Sequence, residues 1–509
     1  MHLFKTNKYF KIFTFLLVVV HTVMLLRFVI ILGPFYTSDT ISYLNMASNV
    51  FNGLFPHSNA YSPGYPFLIG ITSRVIQINL ENSLLIWLFL LLILSLITIQ
   101  KVIKLISEYN NSYYNFILAF VILSNWVVLK ILVTAHADAL FLFFTLLFLC
   151  FSGLWFKTKI TKWFILATLI GFISLWIKLN GLVFIPFLVC LYILQTKKKD
   201  LNYKFIGLPL IGFILSFNLF KFLNGTVISH FQSLGFFDKL ILAITNYNLL
   251  FNNLIASGQT FSNAFLSIYI TKILPKSLFI LLISLFIFLS FRYVFLSRKE
   301  FKIRTVFFLF SFIYWLFLFL LQQFIGFEEI NTRTLFPSIL GILFWALSFI
   351  NEKNNKIKYI VTILIVFNLL YSSFFVYKLS SSDPNNCFNS VVEMKSRKSV
   401  VELQKIKNLY SIQDRIYTNK TRSLIYALDF VNVNSYPSTD YFRNGKVRYH
   451  SDSEFDELYS SFCLDFLERR SVLLLLDTKN LTEKDSCLLT NKTKVIYIEN
   501  DIIIVNTDF

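Results

Sequence analysis

Apolar stretches recur from residue 9 to residue 377, each parted from the next by a short polar break. The runs near 9–33, 82–106, 113–131, 137–156, 163–177, 182–195, 204–223, 277–297, 304–325, 333–350 and 357–377 suit about 30 Å of hydrocarbon. In that medium a spanning segment must satisfy its own backbone donors and acceptors, and unbroken Leu/Ile/Phe runs of this length read as helices. About eleven crossings follow. Composition agrees: 56% of the 509 residues are hydrophobic and 15% charged, against roughly a quarter charged in a soluble globular chain.

A formal net charge of +19 on a soluble chain would point to nucleic acid. Here Lys and Arg stand in small groups between apolar runs, which is how membrane orientation is encoded. Lys101/Lys104, Lys157/Lys159/Lys162, Lys197/Lys198/Lys199/Lys204, Arg298/Lys299/Lys302/Arg304 and Lys353/Lys356/Lys358 fall on alternate loops. Those loops are read as cytoplasmic, together with the amino terminus. The first run follows Lys5, Lys8 and Lys11, but it is too long and lacks a small-residue cleavage site, so it reads as a retained anchor and not a signal peptide. The expected location is the inner (plasma) membrane, multi-pass, with no nucleic-acid partner.

The expected organisation is a transmembrane domain over 1–378, with outer loops 34–81 and 224–276, followed by a small α/β domain over 379–509 outside the membrane. The second region carries more charge and alternates strand-like "SVLLLLDT" and "KVIYIENDIIIVNT" with helix-like "SEFDELYSSFCLDFLERR". In the 224–276 loop, "FFDKLILAITNYNLLFNNLI" is apolar but interrupted and reads as an interfacial helix; an extra span there would break the charge alternation. Cys150 and Cys190 lie in spans and read as buried thiols, while Cys387, Cys463 and Cys487 admit at most one disulfide. No metal-ligand spacing, glycine-rich phosphate loop or Ser-His-Asp signature is present, so no cofactor is expected and a divalent cation is not indicated.

Two stretches of the first outer loop carry chemistry. In "YTSDTISYLNMASNVFNGLF", Thr37 or Ser38 caps a helix, Ile41, Leu44, Phe51 and Leu54 give it an apolar side, and Gly53 ends it. Asp39 falls in the first turn, where the helix dipole favours the ionised carboxylate, and Tyr43 follows one turn later on the same face. A carboxylate so placed is a candidate general base; the plain alternative is a helix-capping group. In "AYSPGYPFLIG", Pro63, Gly64 and Pro66 are expected to form a rigid turn between Tyr61 and Tyr65, either beside a cavity or as a headgroup anchor.

This order, "SDTISY" and then "YSPGYPFLIG", resembles the amino-terminal signature of the GT-C glycosyltransferases, in the bacterial branch akin to protein O-mannosyltransferases and aminoarabinose transferases. "TAHADALFLFFTLLF", "ISLWIKLNGLVFIPFL" and "EEINTRTLFPSIL" are similar to later segments of that family in the same order. The resemblance covers about residues 1 to 350. It implies an inverting transferase that takes a sugar from a polyprenyl-phosphate donor on the outer side of the membrane. Asp39 would then accept the acceptor's proton, and Lys178 and Arg333 would bind the departing phosphate.

Lys178 stands between two short apolar runs, either at depth in a cavity or reaching to the headgroups; Arg333 has Glu329 one turn earlier as a possible surface partner. His136 and Asp138, at the mouth of another span, either orient the acceptor and assist Asp39 or mark the polar end of a helix. "SDTISY" and "YSPGY" lack the further charges of the named branches, which leaves sugar and acceptor open among glycan, lipid and protein. The rival readings are a transporter or flippase of the lipid-linked sugar and a non-catalytic envelope scaffold.

Overall fold

The apolar runs are helices in a computed structural model of the chain, which describes residues 19, 38–56, 62–106, 112–196, 203–223, 247–265, 268–294, 302–325, 330–349 and 370–374, and, further on, 415–418, 433–435, 440–443, 446–449, 452–467, 471–476, 493–499 and 502–507. The run near 9–33, Tyr61, Glu329, the segment 224–246 and most of 357–377 lie outside the described residues. Two compact units result, Met1–Pro34 with Met46–Ser382, and Phe35–Asn45 with Asp383–Phe509. The second unit thus takes in a short piece that the sequence reading assigned to the membrane domain.

Helix α1 (Ser38–Phe51) begins beside Asp39 and runs across that division. The turn after it holds Gly53, whose φ of +85° is a conformation that glycine adopts without steric cost. Helix α2 (Gly64–Ile76) starts directly after Pro63. The segment expected as a rigid turn is therefore a helix start, because a proline in the first turn gives up only an N–H that has no intrahelical partner there.

The first unit continues with α3 (Leu80–Ile106), α4 (Ser112–Leu123), α5 (Trp126–Val133), α6 (Ala137–Thr158), α7 (Thr161–Ile177), a 3-10 turn (Leu179–Val183), α8 (Phe184–Gln195), α9 (Lys204–Leu223), α10 (Tyr247–Phe265), α11 (Ile268–Ile273), α12 (Lys276–Val294), α13 (Ile303–Ile325) and α14 (Thr332–Ser348). Among the described residues, Leu80–Ile106, Ala137–Thr158, Lys276–Tyr293 and Ile303–Gln322 are long and apolar enough to cross a membrane, and Thr161–Ile177, Leu179–Gln195 and Thr332–Ser348 are shorter apolar helices. The unit is a mostly helical, multi-pass membrane domain. Its centre is α6 and α13, with 67% of each apolar window buried, against 22% for the peripheral α12.

The run 113–131 is not one helix. Fully buried Asn125 accepts from Val127 N at 3.1 Å and donates to the carbonyl of Ala264 at 3.0 Å, so its side chain starts a second helix at Trp126 and ties it to the end of α10. Helix α10 also departs from expectation. It packs on α12, α13 and α14 and buries Ile255, Phe261 and Ala264, so it is part of the bundle. Cys150 is buried as expected, but Cys190 is exposed on the outside of the bundle.

An aromatic layer joins α6, α8, α13 and α14. Phe148 stacks on Phe184 at 4.4 Å and Phe141 on Phe184 at 5.6 Å, Phe141 meets Phe336 edge-on at 5.8 Å, and Phe310 meets Phe187 at 5.3 Å. Such pairs add about 0.5–1.5 kcal/mol each beyond area burial. At one end of the bundle Lys159 Nζ donates to Gln195 Oε1 at 3.2 Å and Arg304 lies over the Phe349 ring at 4.8 Å. These contacts join the ends of α6 and α8, and of α13 and α14.

The second unit holds a five-stranded sheet of order β2-β1-β5-β7-β6, with β1 (Arg415–Thr418), β2 (Val433–Ser435), β5 (Ser471–Leu476), β6 (Thr493–Glu499) and β7 (Ile502–Thr507). Strand β1 is parallel to β2 and β5, and β7 is antiparallel to β5 and β6. A separate hairpin pairs β3 (Asp440–Arg443) with β4 (Lys446–Tyr449). Helix α15 (Asp452–Leu467) covers the sheet, with Phe462 and Phe466 on Tyr417 at 5.0 and 5.9 Å. Cys463 is disulfide-bonded.

Candidate functional site

Three helix ends of the first unit each present a polar residue at the same end of the bundle. Asp138 lies in the first turn of α6 and Arg333 in that of α14, while Lys178 closes α7 and opens the 3-10 turn. Arg333 is fixed by a capping box. Asn331 Oδ1 accepts from Arg333 N at 2.9 Å and Thr334 N at 3.1 Å, while Thr334 Oγ1 accepts from Asn331 N at 3.0 Å.

Asp138 is the hub. Its side chain is 3% exposed, Lys178 Nζ donates to Oδ1, and Arg333 Nε donates to Oδ2 at 2.6 Å. Lys178 is largely buried too, at 14%, whereas Arg333 is 42% exposed. His136 Nδ1 lies 2.9 Å from Oδ2, and its Nε2 lies 2.5 Å from Arg333 Nη2. A guanidinium only donates, so Nε2 is the acceptor and the ring is neutral with its proton on Nδ1, donated to Asp138. The 3.3 Å approach of Asp138 N to the same nitrogen is then a contact and not a hydrogen bond. Both oxygens of Asp138 are engaged, which makes it an anchor for two cations.

Glycine shapes the surroundings. A Cβ on Gly64 would lie 2.8 Å from the carbonyl oxygen of Trp176, so the "SPGY" segment seats the start of α2 against the last turn of α7, just before Lys178. Tyr65, next to it, is 1% exposed. A Cβ on Gly181 would lie 2.6 Å from the backbone of Ser174, so the 3-10 turn lies flat against the same helix end.

The structure therefore brings Asp138, His136, Lys178 and Arg333 together, with Tyr65 beside the element that ends at Lys178. Lys178 turns inward to a carboxylate and does not reach for the headgroups. Asp39, in the first turn of α1, and Tyr43, 5% exposed, belong to the second unit; Tyr61 lies outside the described residues. Sequence reasoning missed Lys130 of α5, close enough to Arg333 for their charges to oppose each other; its one signal was a lone charge in an apolar run. It also missed Asn180, which lies wholly buried in the 3-10 turn. Among the described residues no group of three His, Cys, Asp or Glu side chains could hold a metal ion.

No protein-family model matches the sequence, and no curated protein sequence matches it. Solved structures do match by shape. The archaeal oligosaccharyltransferase AglB from Archaeoglobus fulgidus, solved with an inhibitory peptide and a dolichol-phosphate, superposes with a TM-score of 0.46 at 10% identity over 92% of this chain and 70% of its own. ArnT from Cupriavidus metallidurans does so at 0.44 and 10% over 96% and 97%. The arabinofuranosyltransferase AftD from mycobacteria, as its R1389S mutant, reaches 0.50 at 10% identity over 97% of this chain, which spans 41% of AftD's length. The chain shares its fold with this arabinofuranosyltransferase.

Proposed function

We propose that the protein is an inverting glycosyltransferase that moves a sugar from a polyprenyl-phosphate donor to an acceptor in the cell envelope, whether glycan, lipid or protein. The observation that carries this reading is the pair of cations, Lys178 and Arg333, held on one buried carboxylate at the end of apolar helices. A phosphate leaving at a membrane boundary needs such fixed positive charge, and the fold shared with an arabinofuranosyltransferase supports the chemistry. In this reading Asp39 takes the acceptor's proton, and Tyr43, Tyr61, Tyr65 and His136 are the candidates for contact with the substrates. Asp138 positions the cations.

In the same reading the chain makes about eleven crossings, and the Asp138 end and an α/β second domain face the extracytoplasmic side of the plasma membrane. The disulfide at Cys463 supports that orientation, since disulfides persist in oxidising compartments. So do Lys157, Lys159, Lys162, Lys302 and Arg304 at the opposite end. The test is Asp39→Asn in the full chain in lipid nanodiscs, with turnover of a polyprenyl-phosphate sugar as readout. Turnover falls ~10²–10⁴-fold, as for loss of a general base, and Lys178→Ala weakens donor use. Turnover retained in Asp39→Asn removes that residue's role; movement of the lipid across the bilayer without transfer favours the transporter.

A further inference from the structure

Resting on the donor reading above, we propose that the carboxamide of Asn180 recognises hydroxyl groups of the transferred sugar. Asn180 is 0% exposed, and among the described residues neither its Oδ1 nor its Nδ2 has a hydrogen-bond partner. Buried polar groups are almost always partnered, and an exception asks for an explanation. Its position supplies one. Lys178, two residues earlier, opens the same 3-10 turn, whose Gly181 N–H donates to the Lys178 carbonyl at 2.9 Å.

The packing one turn on joins the three elements that carry Asp138, Asn180 and Arg333. Phe141, Phe184 and Phe336 lie three or four residues beyond Asp138, Asn180 and Arg333 on their own elements, and Phe141 touches both of the others, at 5.6 and 5.8 Å. Asp138 and Arg333, three residues before Phe141 and Phe336, pair with each other, and Asn180 stands four residues before Phe184. The ligand class follows from hydrogen-bond inventory. A phosphate accepts only and would leave Oδ1 unmet; an ammonium donates only and would leave Nδ2 unmet. Hydroxyls do both, so adjacent hydroxyls of a sugar satisfy the whole carboxamide.

The carboxamide is closed off in this arrangement, so engagement requires the turn to move. The charged anchor at the turn's start is Lys178, held by Asp138; a donor phosphate that competes for Lys178 releases it. The turn then carries Asn180 toward the sugar attached to that phosphate.

The test compares the full chain with Asn180→Leu, using undecaprenyl phosphate alone and undecaprenyl phosphate bearing glucose, galactose, mannose or arabinose. Affinity in nanodiscs and the melting midpoint without lipid are read together. The parent binds at least one sugar-bearing carrier more tightly than the bare one. In Asn180→Leu that preference shrinks roughly 10- to 100-fold, bare-carrier affinity is kept, and the lipid-free midpoint stays level or rises because an unpartnered amide has gone. If Leu does not fold, Asn180→Ser serves, and it too must reduce the preference. An unchanged preference, or a lowered midpoint with the preference kept, overturns the proposal and makes Asn180 a structural group bound to internal water. A parent that binds bare and sugar-bearing carriers equally overturns this inference alone; a parent that binds no polyprenyl phosphate overturns the donor reading beneath it.

Discussion

Replacing Asp138 by Asn leaves the hub's shape but removes its charge. The amide oxygen can accept from Lys178 or from Arg333, but its NH2 group then faces the other donor. The consequences differ for the two cations because their surroundings differ. Lys178, 14% exposed, is left as a buried ammonium without a counter-ion, a change that costs about 3–5 kcal/mol. Arg333, 42% exposed, can turn to water, and its share is at most ~1 kcal/mol. The single variant is therefore destabilised by about 3–5 kcal/mol, nearly all of it through Lys178.

Adding Lys178→Met removes the stranded charge, and replacing a buried pair by apolar groups is often close to neutral. The double variant should recover most of the loss, giving a coupling energy of about 3 kcal/mol or more in the mutant cycle. Unfolding by SDS titration in mixed micelles, followed by tryptophan fluorescence and by labelling of buried Cys150, measures all four corners. A single variant within ~1 kcal/mol of the parent, or a double variant as weak as the two singles summed, would refute the ion-pair account.

Gly64→Ala forces a methyl to 2.8 Å from the Trp176 carbonyl; an overpacking loss of about 1–3 kcal/mol is expected, with a raised donor KM because the end of α7 carries Lys178. Equal donor KM in parent and variant would separate the "SPGY" segment from the site. Asn331→Ala removes both cap bonds of α14 and should cost about 1 kcal/mol, with weakened donor binding through a looser Arg333; Asn331→Asp, which keeps the cap, should restore both.

The individual residues of the site were legible in the sequence, but their grouping was not. Asp138, Lys178 and Arg333 stood out as charges at the edges of apolar runs, yet Asp138 pairs across 40 and 195 residues, and hydropathy carries no such distance. The local guess for Arg333 was Glu329, one turn away. The structure pairs it with Asp138, whose burial leaves it in need of cations; Glu329 lies outside the described residues. Helix positions were read well where length and composition agree, as in α3, α6 and α13. The break at Ser124 and Asn125 was invisible because both flanks are equally apolar, and the decisive partner, Ala264, is 139 residues on. Pro63 and Pro66 misled in the opposite sense, since the same residues that stop a helix also start one.

The contacts at the two ends of the bundle act as a parity check on the chain's path. Asp138 ties the start of α6 to the end of α7 and the start of α14, while Lys159 and Arg304 fasten the far side. Between Lys178 and Arg333 the polypeptide must therefore make an even number of membrane passages. A fusion or insertion there that adds one crossing would carry the arginine to the wrong face and strand the lysine, whereas one that adds two leaves the circuit intact.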